Sequence, residues 1–497
     1  MSLEYAKHRG RNKQRPYVMR VRTITALFTA ACLLAAPACR VAEPPSRARV
    51  AAFTFDSSVR YQTIEGWGGL LANWHWVDGA SGPSTPTPNS VEPVLLRELV
   101  FDLGLNRFGL NFPAVFIEPA NDNDDPRAIN PAGFDFSKTE PYIREQLLPL
   151  CELLRGRGER FVLYASVILY RPSTGPRGTP RFVVEDPEEY AEFSIAALEY
   201  LRGFGLEPDY WVMVNEPDLV RVWTPAQLAD RIVRLGRRMR AAGFATRIAA
   251  PETVQPAGVS TWLSALAGTP EVRAYLGGIS YHSYDYDPTV GERPPAAPRT
   301  AVANWGRLLN LPVAQTEQGQ AGKKNAAERW NGWHYEQTLD IAENIFADLL
   351  YANASAWQLH AVVGWGDIGG KETGGTYISA RRDGSGYDKP AQYWAARHFA
   401  HWLRPGAVRV GLRGAAGQSP LLAAAFLTPA GRPVVVAINR ASTAQELLVN
   451  GLPAGSYRVS LTTREQKAAE QSLTPISAGQ PLRFTLPAQS LATFYTD

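Results

Sequence analysis

The chain has 497 residues, too many for one ordinary domain and enough for a large barrel with a small appendage. Its composition is ordinary for a globular protein, with 10% aromatics, although 13 tryptophans hint at stacking surfaces. The net charge of +4 misleads, because eight basic residues and one acid fall within residues 1–40. The remainder is close to −3, which excludes a class built on binding nucleic acid through basic charge.

Residues 1–40 read as an export signal. Arg20 and Arg22 precede an apolar run, Ile24 to Ala38, too short to span a bilayer but suited to a signal core. Ala36-Pro37-Ala38-Cys39 supports a cut after small residues or, alternatively, lipidation of Cys39, and Met19 is a candidate start. The expected location is secreted or periplasmic, with membrane attachment only through a lipid on Cys39. The other cysteines are Cys32, inside the signal core, and Cys151, in an expected helix as a core thiol, so no disulfide framework is implied. The seven histidines lack ligand-like spacing such as HExxH, and neither a metal nor another cofactor is expected.

From Val50 the chain reads as strands, and residues 50–63 are expected to join a β-domain at the far end of the sequence. Residues 64–405 then alternate strand and helix. A first strand at 62–66 leads into Gly66-Trp67-Gly68-Gly69. Helices near 92–103, 141–156, 187–203, 224–242, 259–276, 300–309 and 332–352 precede strands at 105–111, 161–169, 210–214, 247–250, 278–282, 313–317 and 355–362. Asp186-Pro187 and Thr224-Pro225 are cap-plus-proline helix starts. Eight strands separated by helices predict an α/β fold, a closed (β/α)8 barrel of the TIM type. After a helix near 389–403, Pro405-Gly406 marks a break. Residues 406–497 then show short alternating strands between Gly, Pro and Ser turns, a C-terminal β-sandwich.

The chemistry concentrates at strand ends. Tyr210 to Val214 is wholly apolar and is followed at once by Asn215-Glu216-Pro217, where the proline ends the strand and leaves a carboxylate at its carboxyl end. Leu311 to Thr316 repeats the pattern with Glu317-Gln318-Gly319, 101 positions further on, a distance that suits about three βα units. Two carboxylates facing each other across a barrel mouth are what glycosidic-bond hydrolysis requires: one protonates the leaving oxygen, the other serves as nucleophile or base. Arg107, charged within a strand, requires a buried partner, for which Glu317 is a candidate. Asn215 is placed to bond a sugar 2-hydroxyl. His282 and Tyr284, in Ser280-Tyr281-His282-Ser283-Tyr284, can orient a carboxylate or a sugar. Trp357 is a candidate floor under the sugar ring, and Trp67, Trp74, Trp76 and Trp365 are candidates for outer subsites. Arg171, Arg177 and Arg181 share a loop, and Asn121 to Asp125 form an acidic stretch; both read first as solvated surface.

These pieces together resemble the retaining β-glycosidases of the large (β/α)8 clan A, and within it glycoside hydrolase family 30. The matching motifs are Gly66-Trp67-Gly68-Gly69, Asn106-Arg107, Asn215-Glu216-Pro217, His282-Ser283-Tyr284, Thr316-Glu317 and Trp357. The run from His398-Phe399-Ala400 to Arg404-Pro405-Gly406 ahead of a β-domain also matches, and the resemblance covers roughly residues 50–497. It implies a double displacement on an oligo- or polysaccharide, with Glu216 as acid/base and Glu317 as nucleophile. Asn215 would then meet the 2-hydroxyl, while Arg107 and Tyr284 position Glu317. Glucosylceramidase-like members carry Ser-Pro-x-x-Pro-x-Trp after the third strand. Here Ala165 to Pro172 has no tryptophan, which argues against glucosylceramide. The alternatives are a non-catalytic carbohydrate-binding relative or a glycosidase of a neighbouring clan A family.

Overall fold

The computed structural model describes residues 50–71, 93–113, 134, 136, 139–169, 184–286, 288, 291–319, 334–365, 375–381, 386–414 and 421–496. The export signal with Met19, Cys32 and Cys39, the acidic stretch 121–125, the loop carrying Arg171, Arg177 and Arg181, and Trp74 and Trp76 lie outside them.

The first strand, β1 (Val50–Thr63), is long and belongs to the C-terminal domain. Eight parallel strands follow and close on themselves: β2 (Gly66–Leu70), β3 (Arg107–Pro113), β4 (Val162–Ile168), β5 (Tyr210–Val212), β6 (Arg247–Thr253), β7 (Leu276–His282), β8 (Val313–Glu317) and β9 (Ala356–Leu359). Helices such as Pro187–Arg202, Pro225–Ala241 and Tyr335–Leu350 pack outside. The Asp186 carboxylate accepts from the Glu188 amide, and Thr224 and Gln227 form a reciprocal capping box, so both cap motifs act as their sequence indicates.

Several boundaries differ from expectation, three of them with a clear physical reason. The first barrel strand is Gly66–Leu70 rather than 62–66, because Tyr61 to Thr63 are already committed to β1. Glycine is required there: a Cβ on Gly68 would stand 1.6 Å from the Arg107 carbonyl oxygen. The expected helix 259–276 is two helices, Pro256–Ala267 and Pro270–Arg273, since Pro270 cannot continue a helix interior. The last strand breaks at His360, whose amide turns to the Gln318 carbonyl at 2.7 Å. Beyond it β10 (Ala361–Trp365) leaves the barrel and joins β11 (Thr376–Ala380) and β12 (Tyr387–Asp388) in a small sheet. Cys151 is only half-buried, with the Arg155 guanidinium 3.6 Å from its sulfur, rather than a core thiol.

The barrel interior is packed by Leu70, Val162, Tyr164, Tyr210, Val212 and Ala249. Its amino-terminal end is closed by charge. Glu65 accepts from Arg107 at 3.1 Å and from the Tyr210 hydroxyl at 2.8 Å, with Arg247 at 3.7 Å and Arg160 at 4.0 Å.

The C-terminal domain adds β13 (Val408–Gly414), β14 (Leu421–Leu427), β15 (Pro433–Asn439), β16 (Gln445–Asn450), β17 (Arg458–Thr462), β18 (Ala469–Ser472), β19 (Leu482–Leu486) and β20 (Ser490–Tyr495). β1 runs through this sheet, antiparallel to β13 and parallel to β16. The two parts of the chain are joined by buried polar contacts as well as by apolar packing. Both ring nitrogens of His398, on the helix Ala391–Ala400, meet threonine hydroxyls of the β-domain, Thr493 at 2.9 Å and Thr462 at 2.8 Å. The rings of Trp402 and Tyr495 stack at 3.7 Å.

Candidate active site

Parallel strands deliver their carboxyl ends to one mouth of a barrel. Here β5, β6, β7 and β8 bring four chemically active side chains to the same place. β5 stops at Val212, but the chain runs on buried through Met213 and Val214, and the Asn215 amide still reaches the Val167 carbonyl at 2.8 Å. Glu216 then turns with φ 50° and ψ 58° into the short helix Pro217–Val220. Glu317 is the last residue of β8 and His282 the last of β7. Glu252, near the end of β6, has φ 66° and is 1% exposed.

His282 stands at the centre of these carboxylates. Its Nδ1 is 3.0 Å from a Glu216 oxygen and 3.8 Å from a Glu317 oxygen, while its Nε2 is 3.3 Å from Glu252. Burial alone would lower the pKa of this histidine. The charge of Glu317 and the hydrogen bonds to Glu216 and Glu252 outweigh burial and raise it well above its ordinary value. Glu252 responds in the opposite sense: burial would raise its pKa, and the hydrogen bond and charge of His282 bring it below the usual carboxylate value. Tyr284, two residues past β7, donates its hydroxyl to Glu317 at 2.9 Å. The loop carrying Tyr284 is anchored from behind, where Arg299 grips Asp285 with two bonds of 2.7 and 3.0 Å and Asp348 with one of 2.7 Å.

One oxygen of Glu216, one of Glu317 and a ring nitrogen of His282 all lie within 4.8 Å of one another. A cation would accept that spacing. His282, however, already meets a carboxylate oxygen through each ring nitrogen, Glu216 at 3.0 Å and Glu252 at 3.3 Å.

Residues 406–494 match the glycosyl hydrolase family 30 β-sandwich domain. A Caenorhabditis elegans protein named, provisionally, glucosylceramidase 1 is 22% identical over 427 residues, covering 78% of this chain and 76% of that protein. The chain is a glycoside hydrolase whose β-domain resembles that of family 30. Solved structures agree at the level of the fold. The catalytic domain of a family 30 xylanase C from Talaromyces cellulolyticus is 19% identical, covers 89% of this chain and 99% of its own, and superposes with a TM-score of 0.66. A family 30 endoxylanase from Clostridium papyrosolvens C71 is 17% identical over 90% of this chain and 100% of its own, also at 0.66.

Within this glycoside hydrolase, Glu216, Glu317, His282 and Tyr284 converge at the barrel mouth, with Asn215 half-buried next to Glu216. Four other candidates lie elsewhere. Arg107 opens β3, so it sits at the amino-terminal end, paired with Glu65 and bonded to Gln358 at 2.6 Å. Glu317 stands at the carboxyl end of its own strand, out of reach. Trp357 faces away from the barrel interior and its mouth. Its neighbour Gln358 meets Arg107 inside the barrel, so strand alternation turns Trp357 outward, where its indole N–H donates to Asp348 of the helix Tyr335–Leu350 at 3.1 Å. Trp67 lies in β2 rather than in a loop, and it too faces outward, donating to the Leu403 carbonyl at 2.7 Å with its ring 6.0 Å from Phe399. Trp365 ends β10, outside the barrel. The residue that the sequence reading overlooked is Glu252. Its signal was present, since Pro251-Glu252 follows an apolar strand just as Glu216 and Glu317 do.

Proposed function

We propose that this glycoside hydrolase is an exported, retaining β-glycosidase in which Glu317 is the nucleophile and Glu216 the acid/base. The observation that carries the reading is the separation of the two carboxylates, whose oxygens approach within 4.8 Å. Retaining enzymes hold the pair at about 5–5.5 Å, whereas inverting enzymes need roughly 6.5–9.5 Å to admit a water. In the first step a Glu317 oxygen attacks the anomeric carbon while Glu216 gives its proton to the departing glycosidic oxygen, leaving a glycosyl ester on Glu317. In the second step Glu216 takes a proton from water, the water oxygen attacks the same carbon, and Glu317 leaves as carboxylate. Tyr284 holds the attacking carboxylate in one rotamer, and Asn215 is placed for the 2-hydroxyl. The named relatives act on xylan or carry a glucosylceramidase name, which sets the sugars to try first.

The test is intact mass after incubation with activated 2-deoxy-2-fluoro β-glycosides of the gluco, galacto and xylo series. One sugar added, mapped to Glu317 and missing in Glu317→Gln, is the expected result, and the reacting sugar reports the substrate class. An adduct on any other residue, or inverted product stereochemistry, overturns the assignment. Export is checked separately by the N-terminal mass of protein recovered from the producing cells, which should begin at or near Cys39.

A further inference from the structure

Among the described residues three glutamates meet His282 at the barrel mouth, and the double displacement uses two of them and leaves Glu252 without a role. Yet Glu252 is more deeply buried than either of the others and more tightly held. One of its carboxylate oxygens accepts from the Tyr164 hydroxyl, and the other accepts from Thr316 Oγ1 at 3.0 Å. Its backbone carbonyl accepts the Glu216 amide at 3.1 Å. It therefore touches the amide of one catalytic candidate and the residue immediately before the other. Its left-handed backbone, at φ 66°, is uncommon for a residue with a side chain and persists only where surrounding structure enforces it.

We propose that Glu252 is a positioning residue that keeps His282 doubly protonated, so that a fixed imidazolium donor stands between Glu216 and Glu317. The inference rests on the roles proposed for those two glutamates. A neutral imidazole has one N–H and one lone pair, and whenever Glu216 and Glu252 are both ionised either arrangement would aim the lone pair at a carboxylate oxygen. An imidazolium satisfies both sides. The titratable groups facing His282 are Glu216 from beyond β5, Glu252 from β6, Glu317 from β8 and Tyr284 from its own loop. Asp218 lies beside Glu216, and Tyr164 of β4 reaches the histidine only through Glu252. Among these, Glu216 and Glu317 change charge or covalent state during turnover. Of the carboxylates in direct contact with His282, Glu252 is the one that keeps a constant negative charge throughout the cycle. With it in place, Nδ1–H stays a donor whether Glu216 is acid or base and whether Glu317 is free or esterified.

The experiment is 15N NMR of the whole protein labelled at histidine, with His282 assigned by its absence in His282→Asn. In the wild type both ring nitrogens should show imidazolium shifts at neutral pH. In Glu252→Gln they should pass to a neutral tautomer as pH rises through the ordinary histidine range. Glu252→Asp, which keeps the charge, should retain the imidazolium signature. On an activated aryl glycoside, Glu252→Gln should lower kcat about 100-fold with little change in KM, the scale expected when positioning is lost. Added to His282→Asn, it should cause no further loss. A neutral His282 in the wild type at neutral pH overturns the proposal, as do an unchanged imidazolium in Glu252→Gln or losses that multiply in the double variant. If Glu252→Gln does not fold, the wild-type spectrum decides. The spectra do not depend on turnover, so a failure to hydrolyse any glycoside would count against the catalytic reading and not against the charge state of His282.

Discussion

Glu216 and Glu317 differ in their surroundings, and substitutions should separate their roles. On the proposed mechanism, Glu216→Gln removes the proton donor. For a glycoside whose leaving group needs that proton, kcat/KM should fall about 10²–10⁴-fold, whereas a dinitrophenyl glycoside should lose far less in its first step. Steady-state kinetics on the two substrates checks this, and equal losses would contradict an acid role. Tyr284→Phe deletes the donor to Glu317. At about 1.5–3 kcal/mol for a hydrogen bond to a charged group, kcat should fall roughly 10- to 100-fold. Trp357 provides the contrary case. Because its indole bonds to Asp348 behind the barrel, Trp357→Phe should cost about 1–3 kcal/mol of stability and leave KM unchanged. A KM raised tenfold or more would return Trp357 to the sugar site. The strand-end glutamates were legible in the sequence because an apolar run that stops at a carboxylate carries its own address. The facing of Arg107 and Trp357 was not. A strand in a parallel barrel is buried on both sides, so its composition does not distinguish inside from outside.

At the scale of elements, the segment after β7 shows how a loop becomes part of an active site. Tyr284 reaches Glu317 because its neighbours are tied to the helix layer. Ser283 donates to Asp348 at 3.0 and 3.1 Å, and Asp285 is clamped by Arg299, which is fully buried together with Asp348. Burial opposes the charge on Arg299, but Asp348 and Asp285 outweigh it and push its pKa above the usual arginine value. Removing one partner of a buried ion pair leaves an uncompensated charge, so Arg299→Met should lower unfolding stability by about 3–5 kcal/mol, read from the urea midpoint. The surviving folded fraction should also show reduced kcat, because the Tyr284 loop loses its anchor. None of this was visible in the sequence, where Asp285, Arg299 and Asp348 are ordinary charged residues in a loop and two helices. What was visible at this scale was local. Proline after a capping residue marked helix starts at 187 and 225, and glycine marked the close approach of β2 to β3.

For the whole molecule, the barrel and the β-domain are coupled through groups whose charge depends on pH. His398 is buried between them as a neutral ring, and burial followed by the nearby Arg397 charge pulls its pKa down to about 3 from 6.5. The unfolded chain therefore takes up this proton first. His398 has no effect on stability above pH 6.5 and makes the protein progressively less stable as pH falls from 6.5 towards 3. His282 acts at the other end of the scale. Its raised folded-state pKa stabilises fully below 6.5, and that contribution is lost as pH rises through the raised value. Glu252 stabilises above 4.5 and loses its contribution as pH falls through its lowered value. Urea midpoints measured across this range should fall on the acid side. His398→Gln, which keeps a donor and an acceptor for the two threonines but cannot titrate there, should show a shallower acid slope. An unchanged slope would remove His398 from the account. The sequence by itself determined the alternation of strand and helix, the β-rich end, and the delivery of carboxylates at strand ends, because each depends on short-range periodicity and on the backbone limits of proline and glycine. Only the tertiary structure decided which side chains point into the barrel, that Arg107 closes its lower end, and that Glu252 joins His282 in the site. Those outcomes come from closing a ring of strands, which brings together residues tens to hundreds of positions apart and has no counterpart in local sequence.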